Sequence, residues 1–166
     1  TGDLGNEGSY LLAILDSSDA KYRGNAKTNE TARHGYYTID HMSGSGNKGV
    51  VEQFEPQPIA TYSENQLIKA EASARSGVAA GLSALNAYRA WLAGGGRLNA
   101  AFDVAADYKY DPYVEADFAS GGMENADGLS TKDALLREIM EERYVSGFGS
   151  YMPFNDHRRL RGAGET

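Results

Sequence analysis

The sequence predicts an all-α fold with long loops and at most minor β structure. Residues 61–92 carry the pattern of two consecutive helices, and a third helical pattern begins after Ser130. The remaining segments are short, rich in glycine or interrupted by proline, and they hold only two weak strand candidates. This is too little strand for a sheet that would be stable by itself, so the helices must supply the core.

Residues 1–60 are predicted to form a loop-rich lead with weak strands. The apolar run Tyr10–Leu15 is short and reads as a buried strand, and residues 36–39 have high β propensity. Residues 43–49 have the composition of a flexible loop. We therefore expect one compact domain in which residues 1–60 pack on a helical region formed by residues 61–166.

The predicted helical hairpin at residues 61–92 is the strongest local signal. Thr61 suits the N-cap position, and Glu64 follows three residues later, as in a capping box. Gly77 stands where a left-handed residue ends many helices. A stripe at the helical period then defines the second helix: Val78, Leu82, Leu85, Arg89 and Leu92. A hairpin of about 34 residues with alanines at the crossing has the size of a tetratricopeptide-type unit.

Beyond the glycines at 94–96, the segment 98–106 is predicted to form a short helix. Residues 107–118 cannot form one regular helix, because Pro112 lies in the middle. Ser130 is expected to cap the third helix with Asp133 at its N3 position. The apolar positions of that helix are Leu135, Leu136, Ile139 and Met140, and a polar tail follows over residues 150–162.

Composition excludes several classes of function. The net charge is -7, which opposes binding to nucleic acid or to an anionic membrane surface. The chain has no cysteine, so disulfides, thiolate metal sites and cysteine nucleophiles are excluded. The three histidines, His34, His41 and His157, do not have the spacing of a metal motif. We therefore expect neither a metal nor a cofactor.

An aromatic, acidic segment offers candidate ligand-binding residues: Tyr108, Tyr110, Tyr113, Asp107 and Asp111. Tyrosine faces on loops suit sugar rings, and neighbouring carboxylates can accept hydrogen bonds from hydroxyls. The alternative is that these rings fill gaps between helices, as half-buried tyrosines often do. The residues alone leave both interpretations open.

Charged residues of the third helix and the tail are predicted to form a structural ion-pair network: Glu141, Glu142, Arg143, Asp156, Arg158 and Arg159. Carboxylate–guanidinium pairs can fix how a helix meets a neighbouring segment. An active site is the alternative, but no nucleophile stands at a recognisable spacing from a base. We therefore expect a structural role and no catalytic residue here.

Four short motifs follow one another along the chain. The first comprises Tyr62, Glu64, Leu67, Ala70, Glu71, Ala72 and Gly77. The second comprises Leu85, Asn86 and Arg89, the third Ile139, Glu142 and Arg143, and the last Asp156, Arg158 and Arg159. In this order the motifs resemble the C-terminal half of the SusD/RagB family, the glycan- or nutrient-binding outer-membrane lipoproteins of Bacteroidetes. The matched runs span residues 60–160, with an unmatched insert between 91 and 129.

The resemblance implies an all-helical, non-catalytic protein at the cell surface. It implies a TonB-dependent (SusC-like) outer-membrane transporter as partner and an oligosaccharide or a peptide as ligand. The matched residues are the scaffold of that family, so no ligand contact transfers onto them. Members are longer and begin with a lipid-anchored cysteine, so we expect this chain to be a piece of a longer protein whose anchor precedes it.

Three functions remain open at this point. The first is the surface nutrient-binding component, and the second is a helical-repeat module that only binds other proteins. The third is an enzyme acting on a glycan through a carboxylate pair such as Asp107 and Glu115. Acidic residues in a loop do not by themselves indicate a placed acid and base, so the third is the least supported.

Overall fold

The computed structural model describes residues 9–39, 46–56 and 59–164. These residues form seven helices and one two-stranded sheet, so the predicted all-α class with minor β structure is confirmed. In chain order the elements are α1 (Tyr10–Leu15), β1 (Thr28–Asn29), α2 (Thr31–Tyr37), α3 (Tyr62–Ser76), α4 (Val78–Ala93), β2 (Lys109–Tyr110), α5 (Glu115–Phe118), α6 (Thr131–Ser146) and α7 (Met152–Ala163).

The chain divides into two compact units. The first comprises Thr1–Pro56 and Arg89–Pro112, and the second comprises Gln57–Tyr88 and Tyr113–Thr166. This grouping differs from the expected division into residues 1–60 and 61–166. Residues 89–112 join the first unit because β2 pairs with β1 in antiparallel register, with Tyr110 opposite Thr28.

Buried charge organises the first unit. Glu30 is fully buried and accepts hydrogen bonds from Arg33 Nε at 2.7 Å and Arg23 Nη1 at 2.6 Å. The guanidinium of Arg89 is buried as well and donates to the carbonyl oxygens of Lys27 and Asp111. These charge-assisted bonds fix the strand pair, which is too short to be stable alone.

Two strand predictions in this unit are wrong. The run Tyr10–Leu15 is helix α1, whose N-cap Ser9 accepts a hydrogen bond from the Leu12 amide at 3.2 Å. Residues 36 and 37 end helix α2, where both tyrosines are buried. Both segments are helical because the helix satisfies its backbone hydrogen bonds within the segment, while its side chains bury their apolar surface.

The predicted short helix at residues 98–106 is also absent. The segment is a series of turns, closed by hydrogen bonds from Leu98 N to Gly95 O and from Phe102 N to Asn99 O. Asn99 further caps the Ala101 amide with its side chain. Side-chain bonds of this kind compete with helical ones, which explains why no helix forms. The loop predicted at residues 43–49 lies partly outside the described residues.

The core of the second unit forms where α3 packs along α6. Small residues, Ala70 and Ala74 on α3 and Ala134 on α6, are fully buried and permit a close approach of the two helices. The larger side chains of the same core are Leu85, Tyr113, Phe118, Leu135 and Ile139. Helix α3 thus has α6 as its main partner, and it also meets α4 at Gly81, which lies beside Ala74.

Local end signals in this unit are mostly confirmed. Thr61 accepts from the Glu64 amide at 3.0 Å, and Ser130 accepts from the Asp133 amide at 3.2 Å. The expectation for Gly77 is wrong, since its backbone is extended, with φ of 175°, and not left-handed. Extended geometry places α4 immediately after α3 without the Schellman-type turn that a left-handed residue would make.

The segment predicted as a tail is helix α7. Pro153 stands in its first turn, where the lack of a backbone N–H has no cost. Gly164 ends the helix in a left-handed conformation, with φ of 73°. This helix places Met152 and Asp156 inward, four residues apart on one face. Throughout the described ranges, no helix is both long and apolar enough to cross a bilayer.

Candidate functional site

A groove of about 470 Å³ opens on the second unit, and charged side chains line most of it. The charged members are Glu64, Glu71, Arg75, Arg143, Asp156 and Arg159. Ile68, Ala72 and Asn155 complete the lining. Three carboxylates face three guanidiniums, so the lining is formally neutral.

Three helices position these side chains. Helix α3 contributes Glu64, Ile68, Glu71, Ala72 and Arg75, whose spacing of four, three, one and three residues keeps them on one face. Helix α6 contributes Arg143 near its last turn, and α7 contributes its first two turns. The long face of α3 therefore forms one wall, and the ends of α6 and α7 form the other.

A bidentate ion pair forms the floor of the groove. Arg143 Nε donates to Asp156 Oδ2 and Arg143 Nη2 donates to Asp156 Oδ1, both at 2.7 Å. Only 6% of the Arg143 side chain and 10% of the Asp156 side chain are exposed. Parallel bonds of this kind fix both planes, so the pair determines how the start of α7 lies against α6.

Glu71 connects this pair to the mouth of the groove. Its carboxylate accepts from Arg159 Nη1 at 2.7 Å, from Arg159 Nη2 at 2.9 Å and from Arg75 Nε at 3.0 Å. Burial acts to lower the pKa of Arg159, but the hydrogen bonds to Glu71 and Asp156 and the charges of these carboxylates together outweigh burial and raise that pKa. The two outer guanidiniums remain partly exposed, so the mouth presents donors to solvent.

One donor at the floor has no acceptor. Arg143 Nη1 is buried and makes no hydrogen bond with any residue that the structure describes. The nearest carboxylate oxygen, Glu71 Oε2, lies 3.8 Å away, beyond hydrogen-bonding distance. Buried donors are nearly always satisfied in folded proteins, so Arg143 Nη1 is an exception among the buried donors of the groove.

The predicted ion-pair residues meet only in part. Arg143, Asp156 and Arg159 come together as described. Glu142 instead accepts from Ser146 Oγ, and the guanidinium of Arg158 lies 5.7 Å from the centre of the Phe154 ring. Glu141 acts on a different arginine. The hydrogen bond that Arg137 donates to Asp127 is the main cause of the raised pKa of Arg137, and the charge of Glu141 adds to it.

Sequence reasoning about the network omitted its central carboxylate. Glu71 was expected only as a motif position, and Arg75 was not expected at all. A signal was present, because Glu71 is the one acidic residue within the alanine-rich stretch of α3 and lies one residue after the buried Ala70. A carboxylate at such a position needs a cationic partner.

The candidate ligand-binding tyrosines lie in different surroundings. Tyr110 is buried in the first unit, between the guanidiniums of Arg33 and Arg89, and donates to Glu30 Oε2 at 2.8 Å. Tyr113 is buried in the second unit and packs edge-on against Phe118. Neither ring has a face open to a ligand in this conformation.

Tyr108 is the half-exposed member of the three. Its ring lies 6.5 Å from that of Tyr110 in a stacked arrangement, and its hydroxyl donates to Asp103 at 2.7 Å, which raises its pKa. The Asp107 carbonyl accepts from the Ala32 amide, and the Asp111 side chain pairs with Lys109. Both residues therefore flank strand β2.

Ion pairs hold five of the side chains that line the groove: Glu71, Arg75, Arg143, Asp156 and Arg159. The lining includes no serine, threonine, cysteine, histidine or lysine. In the ranges that the structure covers, no group of three or more histidines or carboxylates is placed to hold a metal ion.

Comparison with known proteins returned no match to a protein-family model, to a curated protein or to a solved structure.

Proposed function

We propose that this chain is part of a non-catalytic binding protein of an uptake complex at the outer-membrane surface, of the SusD/RagB-like type. It captures an oligosaccharide or a peptide and passes it to a TonB-dependent partner transporter. The ligand is held by the groove lined by Glu71, Arg143 and Asp156, on a rigid helical scaffold.

The observation that carries the proposal is the meeting of residues from separate motifs. Glu71 of the first motif, Arg143 of the third, and Asp156 and Arg159 of the last form one connected set, in which each carboxylate lies within 4 Å of both guanidiniums. Glu71 and Arg159 are 88 positions apart in the chain. Motif residues that make direct pairs across such separations support a common family scaffold over a chance likeness.

The second motif also holds the scaffold together. The Asn86 side chain donates to the Tyr113 carbonyl and accepts from the Tyr113 amide, both at 2.8 Å. This doubly bonded amide fixes the segment that leads into α5 against α4. A groove on a scaffold that is fixed by such hydrogen bonds can bind a ligand without large rearrangement, which favours affinity.

The chemistry of the groove suits neutral, polar ligands. Oligosaccharides and peptides present alternating donors and acceptors, which match guanidinium donors and carboxylate acceptors. Ile68 offers apolar surface on the same wall, since its side chain is 49% exposed. This mixture of a few placed polar groups and some apolar contact is typical of small-ligand sites.

The proposal is tested by binding and by co-purification. The 166-residue chain is titrated calorimetrically with neutral gluco-, manno- and galacto-oligosaccharides and with neutral peptides, and the native protein is purified from detergent-solubilised membranes. We expect one ligand class to bind and a large transporter to co-purify. Protease added to intact cells should cleave the native protein. Absence of binding in both panels together with absence of a transporter would refute the proposal.

A second candidate is a helical module that binds only other proteins. It is favoured by exposed apolar side chains beside the groove helices: Tyr151 and Phe154 at the start of α7 are 83% and 59% exposed, and Ile59, ahead of α3, is 96% exposed. Exposed apolar residues of this size often mark protein contacts. A soluble partner lost in Phe154→Ser, with no sugar or peptide binding, would favour this candidate.

A further inference from the structure

The loop between α5 and α6 contains the single Asp–Gly pair of the sequence, Asp127–Gly128. We propose that this pair is a site of spontaneous covalent modification, at which the main chain rearranges from aspartate to isoaspartate through a cyclic imide, and that an ion pair with Arg137 sets the rate. The inference concerns the second unit alone, and it holds whichever ligand the chain binds.

The nucleophile of this reaction is the backbone nitrogen of Gly128. The residue is exposed, and its amide donates no hydrogen bond to any residue that the structure describes. Its φ of 76° is left-handed, which favours glycine, and glycine has no Cβ that could shield the nitrogen. An unshielded amide therefore stands directly after a carboxyl side chain, as ring closure requires.

The electrophile is the carboxyl carbon of the Asp127 side chain, which is 55% exposed. When this carboxyl is protonated, the Gly128 nitrogen bonds to Cγ, and the carboxyl O–H leaves as water with the proton of the amide. Water then opens the five-membered imide. Opening at the main-chain carbonyl gives isoaspartate, and opening at Cγ restores aspartate. The overall change is an isomerisation that needs no oxidant and no cofactor.

Arg137 of α6 opposes ring closure. Its Nη1 donates to Asp127 Oδ2 at 2.6 Å and its Nη2 donates to the Glu124 carbonyl at 2.8 Å, so one guanidinium holds both the carboxylate and the backbone of the loop. The hydrogen bond from Arg137 is the main cause that lowers the pKa of Asp127, so fewer of its carboxyls are protonated at a given pH. Both side chains are about half exposed, so the ion pair is screened and slows the reaction without preventing it.

Isoaspartate at position 127 adds one carbon to the main chain just before α6. The fully buried Asn125 holds Leu129 at two points: the Leu129 amide donates to Asn125 Oδ1, and Asn125 Nδ2 donates to the Leu129 carbonyl, both at 2.8 Å. Ser130, the N-cap of α6, follows directly. A longer path between Asn125 and Leu129 changes the geometry of these bonds, so we expect the modified chain to be less stable than the parent.

Prolonged incubation of the 166-residue chain tests the site. Samples kept at mildly acidic and at neutral pH are digested, and mass spectrometry with fragmentation that distinguishes the two isomers maps isoaspartate along the sequence. We expect isoaspartate to accumulate at position 127, and faster at the acidic pH because only the protonated carboxyl reacts. Asp16–Ser17 is the internal control, since the Asp16 carboxylate also accepts hydrogen bonds, but the next residue carries a side chain.

Variants test the chemistry and its restraint. Asp127→Glu keeps the charge opposite Arg137 but would have to close a six-membered ring, so no product should form. Arg137→Met should speed isoaspartate formation about 2–5-fold, the range that the loss of an exposed ion pair allows. Arg161→Met, which removes an exposed arginine of α7, is the matched control and should leave the rate unchanged. Added salt should speed the reaction in the parent chain, which tests the ion pair without any substitution.

Each result supports or overturns one part of the inference. Isoaspartate that is absent from position 127, or that forms there no faster than at Asp16, overturns the site. Equal rates in the parent, Arg137→Met and Arg161→Met, with no effect of salt, overturn control by the ion pair. The modified chain, separated by ion-exchange chromatography, should have a lower Tm than the parent, and an equal Tm overturns the effect on the start of α6.

Discussion

Asp156→Asn is expected to destabilise the protein by removing one charge of a buried pair. Arg143 donates two hydrogen bonds of 2.7 Å to this carboxylate, and both side chains are almost fully buried. Asparagine has nearly the same shape but no charge. The variant therefore leaves the guanidinium buried with Glu71 Oε2, at 3.8 Å, as its remaining carboxylate neighbour.

The size of the effect follows from that remaining neighbour. Removing one partner of a buried ion pair costs about 3–5 kcal/mol, because the other charge stays desolvated and uncompensated. Glu71 offsets part of this loss, so we expect the lower end, about 3 kcal/mol. For a chain of this size that change lowers Tm by about 6–12 °C.

Differential scanning calorimetry at neutral pH measures the change, with Asp127→Asn as the matched control. Asp127 also bonds an arginine, at 2.6 Å from Arg137 Nη1, but 55% of its side chain is exposed. Exposed pairs contribute little, so the control should change Tm only slightly. The double variant Arg143→Met/Asp156→Leu should melt close to the parent, because no uncompensated charge stays buried.

Equal, small Tm changes in Asp156→Asn and Asp127→Asn would refute the reasoning. They would show that removing the carboxylate charge from a buried ion pair costs no more stability than removing it from an exposed pair. A double variant that melts as low as Asp156→Asn would point to lost packing, and not to the unpaired guanidinium, as the cause.

Three other expectations follow from single contacts. Arg89→Lys keeps the charge but loses the planar guanidinium, which donates to three oxygens in the first unit. The free energy of unfolding measured by urea denaturation should therefore fall by about 2 kcal/mol. Gly81→Ala places a carbon 2.5 Å from the α3 backbone and should lower Tm, whereas Gly77→Ala meets nothing within 4 Å and should keep or raise it. The pKa of Asp16 lies below 3.8, mainly because the Ser18 amide donates a hydrogen bond to its carboxylate and secondarily because the Ser18 hydroxyl does so. The stabilising contribution of Asp16 is therefore complete above pH 3.8 and is lost as pH falls through the lowered pKa. A ¹³C NMR titration of the carboxyl group measures that pKa.

Each expectation has a contrary result. An Arg89→Lys protein as stable as its parent would mean that the lysine ammonium replaces the hydrogen bonds of the guanidinium. Equal Tm values for Gly81→Ala and Gly77→Ala would mean that α3 and α4 can separate without cost. Ser18→Ala should raise the pKa of Asp16 partway toward 3.8, since the amide bond remains, and an unchanged midpoint would exclude the hydroxyl as a cause.

Helix starts with strong local chemistry were predictable. Thr61 and Ser130 cap α3 and α6 as expected, because capping depends on a residue and the amide three positions later. The stripe on α4 is also found, with Leu85, Arg89 and Leu92 buried. Signals of this range need no tertiary partner, so the sequence alone suffices to place them.

Segments with weak or short patterns were not predictable in the same way. Six residues, Tyr10–Leu15, are too few for a period to separate helix from strand, although the Ser9 cap favoured a helix. The tail contained a comparable signal, since Pro153 lies in the first turn of α7. Gly77 shows the reverse case, where a common end signal was present but the chain took an extended form.

The sequence by itself determined that the protein is helical, where its longest helices begin, and that arginines and carboxylates near the C-terminus would pair. Only the tertiary structure decided which charges meet: Glu71 is the central acceptor, Arg143 and Asp156 lie at the floor, and Arg143 Nη1 has no acceptor within the described part of the chain. The reason is that capping and periodicity act over one or two turns, whereas the pairing of charges distant in the chain depends on how closely Ala70, Ala74 and Ala134 let α3 and α6 approach.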